Sequence, residues 1–368
     1  MQNFSAVGSF LIGYQILLAI ALPFYFYYAP PSMSLVLVTV VLLFLNGISI
    51  GAGYHRYYAH KTYRPNKIVE AILLFVATMT MQGSALRWAY NHRMHHRFTD
   101  KAGDPHSIKK GFWYAHMLWL FEKSKPIDEV VVPDLIQNKL VLFQHKYFQI
   151  LTFATNILVC GVIGWLLQDF IGAFVLLWWT RVFVMHHFTW FINSLAHTWG
   201  AKTFSREQTA VDNYLIALLT FGEGYHNYHH VFSSDYRNGI RWFHYDPSKW
   251  LVWVLSKLGL ASQLNKISEF TIQKRIIQED KSILLEQIHN SSLPEKESLE
   301  QHVHQLSARI QSRISGISER LHEYYELKRQ QKKEMVDSLR MEIKQMKKTL
   351  HDDWQAWKSL SRKILSQS

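Results

Sequence analysis

The chain has 368 residues, 48% hydrophobic and 14% aromatic, with a net charge of +12 when histidine is neutral. Its one cysteine, Cys160, excludes intramolecular disulfides and thiolate metal cages, so any metal must be held by nitrogen or oxygen. The positive charge suits anionic lipid headgroups, and no interleaved basic and aromatic motif points to nucleic acid.

Residues 9–28 carry no charge and are long enough to cross a bilayer. No Lys or Arg precedes them, so the stretch is predicted to be an uncleaved first span. Ala29-Pro30-Pro31-Ser32 reads as a tight turn, and residues 33–54 as the second span. Residues 68–86 are apolar but interrupted by Gln82, Gly83 and Ser84 and bracketed by Arg64 and Arg87, which predicts a helix lying in the interface. Residues 87–146 are polar and basic, 147–168 form a third span, and 171–196 a fourth after the turn at Asp169-Phe170. The two short outer connections hold no Lys or Arg, so the basic loops and both termini are expected in the cytoplasm.

This topology brings the histidines to one side of the membrane. His92, His95 and His96 share the i, i+3, i+4 spacing of His226, His229 and His230, which puts each triplet on one helical face. His55 and His60 stand five apart, roughly 140° around an α-helix, so either the helix loosens there or the pair approaches from different sides. His197 follows the fourth span. So many imidazoles exceed the needs of one tetrahedral ion and suit two metals. No HExxH supplies a base beside zinc ligands, and the nearby spans can bury an acyl chain. An oxygen-activating di-iron centre acting on a lipid C–H bond is the reading these residues support.

The segments HRYYAH (55–60), HRMHHRF (92–98), NSLAH (193–197) and HNYHH (226–230), with Val231-Phe232-Ser233-Ser234-Asp235-Tyr236-Arg237 after the last, resemble the histidine boxes of membrane fatty-acyl desaturases, in particular the stearoyl-CoA Δ9 branch. The likeness runs from about residue 37 to residue 268. It implies an all-α integral membrane protein of four transmembrane helices, with a cytoplasmic helical cap holding a histidine-rich di-metal site. Carried over by position, it implies that two ferrous ions are ligated by His55, His60, His92, His95, His96, His197, His226, His229 and His230, with Asn193 reaching a metal through water. It further implies O₂-dependent formation of a cis alkene at Δ9, with electrons from ferredoxin or a cytochrome b5-type protein. No fused haem motif (HPGG) is present.

Tyr90-Asn91 replaces the Arg-Asp pair that animal acyl-CoA members have for CoA contact, and Gln82-Gly83-Ser84 and Gly103-Asp104-Pro105-His106 look more like bacterial members. The acyl carrier, CoA or lipid, is therefore open. Those features and the short sequence before the first span suggest a bacterial inner-membrane protein. Gln82, Trp88, Thr189 and Trp190 match positions that bind substrate in a bent acyl tunnel. His186 and His187 are expected to be buried and hydrogen-bonded. His106, His116, His145 and His244 are expected to have no part in the site. Lys109, Lys110, Arg181, Arg237 and Arg241 could meet a phosphate-bearing headgroup or be ordinary positive charge.

Beyond residue 268 the chain becomes charged. Residues 269–298 read as a linker with a break at 290–294, and residues 299–368 carry apolar positions at steps of three and four, as in an amphipathic helix or coiled coil. The extension is expected to self-associate or dock an electron donor. Two rival functions remain at this stage: a lipid hydroxylase on the same di-iron scaffold, and a membrane scaffold acting through its helical tail.

Overall fold

A computed structural model describes residues 6–291 and 295–367. It divides into two compact units, Met1–Lys266 and Ile267–Ser368. The first contains four helices long and apolar enough to cross a membrane: α1 (Ala6–Tyr28), α2 (Met33–Ala59), α6 (Lys139–Leu167) and α7 (Phe170–His197). The shorter helices are α3 (Lys67–Thr78), α4 (Ala85–Phe98), α5 (Phe112–His116), α8 (Tyr214–Leu219), α9 (His226–Val231) and α10 (Pro247–Lys257). A two-residue antiparallel ladder, Arg64–Pro65 with Ala261–Ser262, ties the approach to α3 to the exit from α10.

The outer turns are built by capping. Ser32 accepts from the Leu35 N–H to start α2, and Asp169 accepts from the Gly172 N–H to start α7. Tyr25 donates to Asp169 across 2.7 Å, so the two turns are joined. Gly172 lies directly under Tyr25 and Leu35, where any side chain would collide.

Three local departures from the sequence reading have physical causes. The apolar run 68–86 is not one helix: α3 ends at Thr78, and Met81 and Gly83 take positive φ before the Ser84 side chain caps α4. The third span starts at Lys139, capped by Asn138, and its backbone leaves helical geometry at Tyr147, where the apolar run begins. Arg181 is unavailable to a headgroup, because it is buried in α7 and its guanidinium is taken up by Asn46, Asn156 and the Leu177 carbonyl. A cation at this depth is tolerated when every donor is satisfied in this way.

The second unit is the expected helical extension, and it begins earlier than expected. Glu269–Asn290, expected as linker, is a helix (α11) capped by Ser268. It packs with α12 (Lys296–Arg329) and α13 (Lys333–Gln367) around Ile277, Leu284, Ile310, Ile314, Ile343 and Trp357. Arg320 meets Glu342 and Arg309 meets Asp353, so α12 and α13 run antiparallel. Apolar positions of the three helices meet one another within the chain. Of the expected break, residues 292–294 lie outside the described residues.

Candidate metal centre

The spacing of His55 and His60 is resolved by a change of helix type. Over Ile50–Ala59 the end of α2 widens to i→i+5 hydrogen bonding, continued by the His60 N–H to the His55 carbonyl at 3.1 Å. Five residues then make about one turn, and the two rings lie 4.9 Å apart. Helix α4 presents His92, His95 and His96, α9 presents His226, His229 and His230, and the last turn of α7 presents His197.

These nine imidazoles fall into two groups. His55, His60, His92, His96 and His229 form one, and His95, His197, His226 and His230 the other, each with ligand atoms within 4.8 Å of one another. Within the first, Nε2 atoms face each other at 3.0 Å for His55–His229, 3.0 Å for His96–His229 and 2.8 Å for His60–His92. In the second the spacings are 3.3 Å for His95–His230, 3.0 Å for His226–His230 and 3.1 Å for His197–His226.

Three of these rings have their tautomer set by the opposite nitrogen. His55 Nδ1 lies 2.7 Å from Glu223, and His95 Nδ1 lies 2.9 Å from Asp104. His197 Nδ1 lies 2.7 Å from the Thr209 hydroxyl, whose own proton goes to Asp100 at 2.7 Å. With Nδ1 as donor, Nε2 of these three rings carries a lone pair, and a single facing Nε2–H cannot serve all its neighbours, since His229 Nε2 meets both His55 and His96 and His226 Nε2 meets both His197 and His230. That arrangement is unfavourable by itself and is relieved by a cation between the rings. At a metal–nitrogen distance of about 2.1 Å, ligands at right angles stand about 3.0 Å apart, close to the spacings found. The donor set therefore fits two metal ions.

Burial supplies the right protonation state. His60, His92, His96, His226, His229 and His230 are held well below the ordinary imidazole value, first by burial and then by one another. Burial pushes His95 down to about 3. Neutral imidazole is the form that binds metal.

A charged layer supports the first group. Glu223 also meets Arg56 at 3.1 Å and Asn238, while Arg56 meets Asp246 at 2.8 Å. Burial alone would raise the Glu223 carboxyl; His55 and Arg56 outweigh it and hold the group below its usual range. Arg93, next to His92, grips Asp134 with both terminal nitrogens and the carbonyls of Tyr58 and Ala59, fixing α4 to the end of α2. Sequence reading missed Glu223, Asp100, Thr209 and the carboxylate role of Asp104. The available signals were local ones: Glu223 stands between two glycines three residues before His226, and Asp104 lies within Gly-Asp-Pro-His.

The other expected site residues are placed as follows. Asn193 is half-buried one turn before His197. Gln82 donates to Thr189 at 3.0 Å, and Trp88 stacks on His92 with ring centres 5.1 Å apart. Trp190 is turned elsewhere, into a cluster with Leu11 and Tyr14. His186 bonds Tyr14 and the Thr80 carbonyl, and His187 bonds His116. His145 bonds Ser84, and His244 stacks on Tyr225. His106 is closer to the centre than its spacing suggested: it is buried with its ring 4.3 Å from His95. Arg237 is engaged by Asp235, whereas Lys109, Lys110 and Arg241 are exposed.

Four apolar helices under a cap with two histidine groups define a membrane protein of the histidine-held metal-centre class. Residues 10–259 match the profile of the family described as fatty acid desaturase, and the chain belongs to that family. It is 36% identical over 254 residues to acyl-CoA desaturase 1 of Saccharomyces cerevisiae, covering 68% of this chain and 50% of the relative. It is 37% identical over 261 residues to the probable acyl-CoA desaturase of Schizosaccharomyces pombe, covering 69% and 54%. It is 33% identical over 272 residues to the delta-9 acyl-lipid desaturase 1 of Arabidopsis thaliana, covering 72% and 83%. The matches thus span about half the length of the two yeast relatives.

Proposed function

We propose that this protein introduces a cis double bond, at Δ9, into a long-chain fatty acyl group. The observation that carries this reading is the convergence of two all-nitrogen ligand groups beneath a cap on four membrane spans. Family membership and the acyl-CoA and acyl-lipid desaturase names of its relatives support it.

The metals we assign are two irons, one per histidine group, with Asn193 reaching one of them through water. When bound, iron would supply the redox chemistry by which O₂, two electrons and two protons remove two hydrogens from adjacent methylenes, yielding an alkene and two waters. The residues of this chain do the rest. Glu223, Asp104 and Thr209 keep three imidazoles aimed with Nε2 inward. Trp88, stacked on His92, and the Gln82–Thr189 pair are assigned to hold the acyl chain beside the centre, while Trp190 packs with Leu11 and Tyr14. Electrons are assigned to a ferredoxin or cytochrome b5-type protein on the cytoplasmic side. The carrier of the acyl group is CoA or a membrane lipid, and the membrane is assigned as a bacterial inner membrane.

The test is the fatty-acid profile, with double-bond location, of a desaturase-deficient host expressing the chain or its His229→Ala variant under air. New cis-Δ9 monoenes from the parent and none from the variant are expected. Hydroxylated acyl chains without new monoenes would overturn desaturation in favour of hydroxylation.

A further inference from the structure

Two glycines on α2 act as depth marks for the cap. Counting from Met33, a hydrocarbon core of about 20 residues ends near residue 53. Gly47 then lies about 9 Å inside the boundary, and Gly51 about 3 Å inside it, at about 1.5 Å per residue. Each glycine is filled by a residue from a cap segment. The Phe221 ring, two residues after α8, occupies the place of a Gly47 side chain and also packs edge-on against Phe44, 5.7 Å between ring centres. Ser248, in the first turn of α10, occupies the place of a Gly51 side chain, with the Glu223 carboxylate beside it at 2.9 Å. The segment after α8 is therefore fixed at a level of α2 that lies in lipid and α10 at the boundary itself, although neither is long enough to cross.

The outward faces of these helices agree with that depth. Helix α8 turns Ile216 and Ala217 inward and leaves Leu215, Leu218 and Leu219 exposed. Helix α10 buries Val252 and Leu255 in a cluster that includes Ala52 and Leu73, and leaves Trp253 and Val254, with Leu258 just after it, exposed. Trp253 is 50% exposed and Leu218 is 48% exposed, so the apolar sides have no cover from the described residues. Water is an unfavourable neighbour for contiguous apolar faces of this kind, whereas the boundary of a leaflet accepts Leu with Trp beside a basic residue such as Lys257.

We propose that α8 and α10 are in-plane membrane helices: their outward faces lie in the acyl and headgroup boundary of the leaflet in which the cap sits, and the occupant of those faces is phospholipid. The cap is thus sunk into the leaflet instead of standing on it. This placement rests on the four spans and the two glycine contacts, and does not depend on the reaction catalysed.

The experiment places a single NBD fluorophore at Leu218→Cys or Trp253→Cys, in a Cys160→Ala background, with the full chain in phosphatidylcholine liposomes. Ile12→Cys, on the exposed side of the first span, serves as the lipid reference. Both test positions are partly exposed, and retention of bound metal and of the unlabelled melting transition shows that each variant is folded. Strong quenching by lipid carrying a doxyl group high on its acyl chain, with little quenching by aqueous iodide, is expected at both sites. Iodide quenching with no effect of doxyl lipid at either site would overturn the proposal and assign that face to water or a soluble partner.

Discussion

The interior of the first unit contains Arg56, Arg181, Glu223, Asp246 and Lys249 in addition to the histidines, each bonded to protein partners. That of the second is made of Ile, Leu, Val and Trp, with Ser307 and Asp353 the buried polar residues among those described. Both units are helical, so helix content says nothing about this difference. The bundle is driven by apolar transfer, in which each side chain contributes nearly independently. The cap carries groups that are costly to bury and are tolerated through mutual satisfaction, so losing one partner harms its neighbours.

Substitution in the bundle core gives the largest expected effect on stability. Ile310, fully buried, changed to Asp places an uncompensated carboxylate among aliphatic side chains. The loss should exceed about 4 kcal/mol, unfolding the bundle. Circular dichroism should lose the helix signal of residues 267–368 while metal content per chain stays at the parent value. Loss of metal together with the bundle would show that the two interiors are not separate.

Next is Glu223→Gln, which keeps the shape but weakens the hold on His55 and Arg56. Metal affinity should fall about 10- to 100-fold, the usual effect of removing a partner behind a ligand. Chelator competition measures this, and an unchanged affinity would remove Glu223 from the support of the centre. The smallest effect belongs to Arg329→Ala on α12. Its contact with Glu326, one turn away at 2.9 Å, should contribute no more than about 0.5 kcal/mol, read as a minor shift in the bundle's melting transition.

What the sequence made legible follows the same division. Spans and histidine triplets are local patterns: an uncharged run or an i, i+3, i+4 spacing is visible without knowing what it faces. The His55–His60 pair resisted that reading because the expected period was that of an α-helix, whereas the backbone there adopts the wider turn. Glu223, Asp104 and Thr209 resisted it because their role depends on which ring each meets after folding, up to 168 residues away for Glu223 and His55. The tail shows the converse limit. Steps of three and four serve equally for a coiled coil between chains and a bundle within one; the reversal after Arg329, where Gln331 takes positive φ, allows the stripe to close on itself.

Metal analysis with X-ray absorption on the purified, iron-supplied protein tests the central claim most directly. Two irons per chain, each with a first shell dominated by imidazole nitrogen, is the predicted result. One iron per chain, or a shell dominated by carboxylate oxygen, would contradict the assignment of the two histidine groups as separate metal sites.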